Sequence, residues 1–347
     1  MKSMEKESDL NLLHPRSMAA VIRDGYRLYM SSFKKLFSSS WIVAIVYAIA
    51  FALMMGNMVN NVVPMQTVIK AFGPQAVMAD PAYASTSLMS VLTAIFFALA
   101  ALLLAAQAFH VFGEHQQSGA ISRPTHWYGR LCLPSFLRLL PVALWVMLLW
   151  VVISAGFTAV VYGILSLGIV GNVWKSIASL CLLALLAIIV MALLVPLAYT
   201  VMRKMQASFH SPQGEKNKLP PLFIPEQSSS TRSLSLLSPP FKGYVRGLRH
   251  WGLLFATLFV VYIFTELLTL VCELPAVIIA IANTEAYAGL ALGDPLGLPD
   301  HIVPMTYCVF TLAGFIQAYV HLSTLFPLYY AYGSIEQQET ERMKIEH

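Results

Sequence analysis

The chain has 347 residues, of which 58% are hydrophobic and only 11% charged, with a formal net charge of +5. Soluble domains usually carry about 25% charged residues, so composition argues against an ordinary globular enzyme. The basic residues flank apolar runs instead of forming one basic face, which argues against a nucleic-acid partner and for contacts with lipid headgroups.

The first apolar run begins at Trp41, after a mostly polar stretch, and no small-residue cleavage site follows it. It reads as a first membrane span and not as a cleavable leader. Further runs lie near 89–112, 139–164, 176–202, 251–274 and 303–332, the first ending near residue 60. No Lys, Arg, Asp or Glu occurs between Arg138 and Lys175, or between Lys175 and Arg203. Such runs are long enough for helices crossing hydrocarbon, which must satisfy their own backbone polar groups. Barrel strands would alternate apolar and polar residues, and these runs do not. The expected fold is therefore an all-α integral membrane protein with six transmembrane helices. Four sit in 41–205 and two in 241–333, separated by a Ser-, Pro- and Lys-rich flexible cytoplasmic linker at 206–240.

Orientation follows from the positive-inside bias. With residues 1–40 and the tail 334–347 in the cytoplasm, all of the 22 Lys and Arg except Lys70 and Lys175 fall on the cytoplasmic side. The expected location is a bacterial inner membrane. The loop at 61–88 lies outside and carries nothing that marks a binding site.

Internal similarity subdivides the spans. Gly25-Tyr26 precedes Phe33 and Phe37 at the mouth of span one, and Gly243-Tyr244 precedes Trp251 and Phe255 at the same spacing before span five. Tyr128-Gly129, Phe136 and Leu140 form a weaker version before span three. Span four closes with Pro196-Leu197-Ala198-Tyr199 and span six with Pro327-Leu328-Tyr329-Tyr330. The pattern predicts three helix-pair units, each an amphipathic cytoplasmic lead-in helix, an outward span and a return span. Ile22, Tyr26, Tyr29, Phe33 and Phe37 share one helical face, with Arg23, Arg27 and Lys34 on another. That arrangement predicts a helix with its apolar side in the acyl boundary and its cations toward anionic headgroups.

Chemistry-bearing residues within the spans are few. Glu266 is the acidic residue deepest in a span, where a charge is costly and seldom incidental. Glu273 follows seven residues later on the same face. Gln317 and His321 occupy one face of span six, and Gln107 and His110 approach the inner end of span two. Depth along the helices brings Glu266 within reach of Gln317, leaves Glu266 and His321 out of direct contact, and sets Gln107 level with His321. These five residues form the candidate intramembrane polar site. It is either a set of interhelical hydrogen bonds or a polar cavity between spans two, five and six for a proton, lipid headgroup or small solute. His110, Glu114 and His115 do not match a zincin motif, and no metal or other cofactor is expected. Cys272 and Cys308 fall near the outer ends of neighbouring spans, where a disulfide is geometrically conceivable, though unpaired buried cysteine is ordinary.

The stretches Gly25-Tyr26-Arg27-Leu28-Tyr29, Phe33-Lys34-Lys35-Leu36-Phe37 and Arg123-Pro124-Thr125-His126-Trp127-Tyr128-Gly129 give the chain a resemblance to a bacterial six-span family of unknown function. Members of that family carry the label beta-carotene 15,15'-monooxygenase. More loosely, the architecture is similar to the membrane domain of some glycerophosphodiester phosphodiesterases. The label implies histidines converging on iron, but the nine histidines here are scattered, with only His321 well inside a span. The expected role is non-enzymatic lipid handling or an accessory scaffold, with membrane lipids and either a membrane protein or a second copy as partners. A small-solute or lipid transporter is the alternative, and a carotenoid oxygenase is more distant.

Overall fold

The computed structural model describes residues 12, 14–62, 81–118, 135–137, 139–148, 156, 181, 185, 194–205, 243–291 and 301–346. Among these the regular structure is helical and no strand occurs. Five helices are α1 (Met18–Asn57), α2 (Pro81–Ser118), α3 (Tyr244–Arg249), α4 (Trp251–Ala291) and α5 (Ile302–Glu346). A π-helical turn, Met58–Val62, follows α1. Residues 194–205 are also helical.

Four helices are long and apolar enough to cross a membrane; they contain Met18–Asn60, Leu88–Gly113, Trp251–Ala286 and Ile302–Ile345. They correspond to the expected spans one, two, five and six. The bulk of the expected spans three and four, and the linker at 206–240, lie outside the described residues. The stretch read as an external loop, 61–88, is already helical from Pro81.

α1 departs from the sequence expectation. The lead-in and the span form one uninterrupted helix of 40 residues, roughly 60 Å long at the standard rise. Nothing breaks it at Ser38-Ser39-Ser40, because the Ser39 and Ser40 hydroxyls both donate back to the Leu36 carbonyl, at 2.9 and 2.8 Å. Its aromatic face meets α5 while staying partly exposed, Phe33 at 38% and Phe37 at 41%. Tyr29 packs edge-on to Phe326, Phe33 to Tyr319, and Phe37 meets Phe315 and Tyr319. The Tyr29 hydroxyl donates to the Tyr319 carbonyl at 3.0 Å. Such edge-to-face pairs add to simple burial.

The chain divides into two compact units: Tyr26–Leu133 with Val260–Phe326, and Met1–Gly25 with Pro134–Phe259 and Pro327–His347. In the first, α1 and α5 run antiparallel, Gly314 lying against Ala48 and Phe51, and Gly56 against Tyr307. α2 is antiparallel to α1: Asn57 donates to Ser90 at 2.9 Å, Phe97 lies against Tyr47 and Phe51, and Gln107 reaches Ser39. α4 meets α1 through Tyr26 and Phe264, and meets α5 where Asn283 donates to Thr306 at 3.0 Å. The Tyr26 side of α1, the end of α2, the Val260 side of α4 and the Phe326 side of α5 therefore share one end of this unit.

The other unit is held by close backbone approach and buried ions. A Cβ on Gly25 would sit 2.6 Å from the Pro327 Cα, and one on Gly247 would sit 2.9 Å from the Pro196 carbonyl oxygen. Both prolines open the Pro-x-x-Tyr segments noted in the sequence. Gly243, before α3, adopts φ 101°, a left-handed conformation that glycine enters without steric cost. Arg249 and His250 both reach Glu339, and the Tyr199 hydroxyl donates to Glu336 at 2.7 Å. These contacts hold the C-terminal part of α5 in place.

Candidate functional site

The polar residues of the first unit gather on facing sides of α1, α4 and α5. The Tyr47 hydroxyl, on a buried side chain, donates to Gln317 Oε1 at 3.1 Å. The Glu273 carboxyl of α4 acts electrostatically on Tyr47. Glu266 acts electrostatically on Glu273, one helical repeat away, and on His321 across the interface with α5. Tyr262, one turn before Glu266, lies beside it. The side-chain direction of α4 explains this grouping, since positions seven apart return to nearly the same face.

Of the five residues singled out in the sequence, the structure brings Glu266, Gln317 and His321 into one neighbourhood. Gln107 faces α1. Its buried amide donates to the Ser39 hydroxyl at 3.3 Å, making it a joint between α2 and α1, and His110 lies half-buried one turn on. α1 joins this polar seam through Tyr47, beside α4 and α5. Tyr47 was missed because an aromatic residue within a span reads as core; the available signal is that a buried phenol hydroxyl needs a partner.

Around the seam, α4 is exposed on a broad apolar face that includes Ile263, Leu267 and Leu270. Glu266 is itself exposed on this surface, and Tyr262 is 56% exposed. The polar group thus reaches from the helix interface to the outside of the bundle.

Among the described residues no three His, Cys, Asp or Glu side chains come together as a metal site. Burial pushes the His115 imidazole below its usual pKa, which favours the neutral ring. Cys272 and Cys308 are free thiols, as is Cys181.

Comparison with protein-family models, curated proteins and solved structures gives no match. The fold alone sets the class: four long apolar helices of alternating direction fit a multi-pass α-helical membrane protein.

Proposed function

We propose that this chain is a non-enzymatic, lipid-handling protein of a bacterial inner membrane, acting at the seam of Glu266, Glu273, Tyr47, Gln317 and His321. The observation that carries the reading is the exposure of Glu266 and Tyr262 on the apolar face of α4. A carboxylate in hydrocarbon is costly unless it is neutralised or partnered. One that opens sideways is placed to meet the headgroup of an amphiphile arriving through the bilayer, whereas a water-soluble solute needs an enclosed aqueous route. Accessory contact with another membrane protein fits the same surface.

Six spans as three helix pairs remain the preferred topology. The end of α2 and the Val260 end of α4 share one end of their unit, which supports an even number of crossings between them. Residues 139–164 and 176–202 supply two charge-free runs of sufficient length. The Gly25–Pro327 and Gly247–Pro196 contacts further support a repeated unit, in which a lead-in helix docks on the end of a return span. The positive-inside bias then sets both termini in the cytoplasm.

Native mass spectrometry of protein extracted in mild detergent tests the lipid reading. The wild type is expected to retain endogenous lipid, and Glu266→Gln to lower the retained fraction roughly tenfold, equivalent to about 1.4 kcal/mol. Lipid-free wild type, or equal retention by the variant, contradicts the proposal.

A further inference from the structure

Threonine hydroxyls within helices ordinarily fold back on their own backbone, and most here do so. Thr93 donates to the Met89 carbonyl at 2.9 Å, Thr284 to Ile281 at 2.7 Å, Thr306 to Ile302 at 2.8 Å, Thr311 to Tyr307 at 2.7 Å and Thr324 to His321 at 2.7 Å. Thr265 and Thr269 do not. Both lie on the inner side of α4, 2% and 6% exposed, and neither hydroxyl bonds its own backbone. The Tyr26 hydroxyl is a polar neighbour of Thr265, whereas Thr269 has no hydrogen-bond partner among the described residues. Glu273, one turn beyond Thr269, has its Oε1 buried in the same condition.

Positions 265, 269 and 273 advance by single turns, so the three polar groups form a lane roughly 12 Å long on one side of α4. A buried hydroxyl or carboxyl oxygen without a protein partner is expected to be satisfied by water. A hydroxyl turned away from its own carbonyl is free to both donate to and accept from a water molecule.

We propose that Thr265, Thr269 and Glu273 form a hydrated proton-access lane, with water and the proton as its ligands and the Glu273 carboxyl as its terminus. Hydronium gives one proton to the Glu273 carboxylate, leaving a neutral carboxylic acid and water; deprotonation runs the same exchange backwards. The groups that set the balance are Glu266 on α4 itself, Tyr47 on α1, and His321 on α5, which the Glu266 charge reaches. This inference does not rest on the lipid reading. It requires only that the inner side of α4 be wet, and it holds for a lipid-handling or a transporting protein alike.

Infrared difference spectroscopy on the full chain in lipid nanodiscs, taken through a pH titration and after transfer to heavy water, tests the lane. A protonated-carboxyl band absent from Glu273→Gln is expected to titrate reversibly and to shift on deuteration. The double variant Thr265→Val, Thr269→Val keeps side-chain shape and removes both hydroxyls. Its Glu273 band is expected to persist to a pH about one unit higher, a tenfold change in proton affinity, because the charged form has lost its hydration. Gel filtration and thermal midpoint confirm that the variants fold. A Glu273 band that neither titrates nor exchanges in the wild type, or that is unchanged in the double valine variant, overturns the proposal, as does the absence of any band assignable to Glu273.

Discussion

Arg16→Met is expected to destabilise the protein by about 3 kcal/mol, read as a fall in thermal midpoint and in folded yield. The side chains of Arg16 and Asp24 are 5% and 7% exposed, and Arg16 Nε donates to Asp24 Oδ2 at 3.0 Å. The same guanidinium donates to the Leu12 carbonyl at 3.0 Å and lies over the Tyr330 ring, its carbon 4.9 Å from the centroid. Backbone N–H of Arg16 donates to Ser334 at 2.9 Å, fastening the N-terminal segment to α5. Removing one member of a buried ion pair typically costs about 3–5 kcal/mol, because the other charge is left desolvated. The lower end applies here. Asp24 keeps Arg23 at 3.2 Å, but that side chain is 70% exposed and offers a screened contact. Adding Asp24→Asn to Arg16→Met removes the stranded charge and should recover part of the loss. An unchanged midpoint for Arg16→Met alone contradicts the role given to this pair.

Gly25→Ala is expected to cost about 1–3 kcal/mol or more, as overpacking at a rigid contact does. The added carbon would meet the Pro327 Cα and N, both at 2.6 Å. These are backbone atoms, fixed by a proline ring within α5, and no rotamer change moves them aside. Gly247→Ala should behave similarly but more mildly, since its nearest atom is the Pro196 carbonyl oxygen at 2.9 Å. Gly252 is the control. Nothing lies within 4 Å of a Cβ there, so Gly252→Ala should be neutral or stabilise α4 by up to about 1 kcal/mol. Thermal midpoints of the three variants in one detergent check the ordering. Equal behaviour of Gly25→Ala and Gly252→Ala would remove the argument for close docking on Pro327.

How much of this was legible beforehand depended on the range of the interaction. The helices α1, α2, α4 and α5 could be read from long apolar runs, because hydrocarbon imposes its requirement on each segment separately. The continuity of α1 through Ser38-Ser39-Ser40 could not, since serine favours caps as readily as helix interiors. Gly25 and Gly247 stood in or near a repeated pattern, but their prolines lie far along the chain and no local signal names the partner. In the polar seam, Glu266 was visible because a carboxylate in a span is rare. Its relation to Glu273 followed from helical spacing. Tyr47, Thr265 and Thr269 were invisible, because hydroxyl direction is decided by neighbours on other helices.

The central claim is that hydrocarbon surrounds these helices, with the basic segments gathered on one side of the bilayer. Single cysteines at positions 6, 218 and 344, and at 70 and 295, in a chain whose four native cysteines are replaced, test it through a membrane-impermeant maleimide applied to sealed vesicles of known orientation. The account predicts that positions 6, 218 and 344 react from the cytoplasmic side only, and positions 70 and 295 from the opposite side only. Labelling of position 218 from the face opposite to position 6 would contradict it.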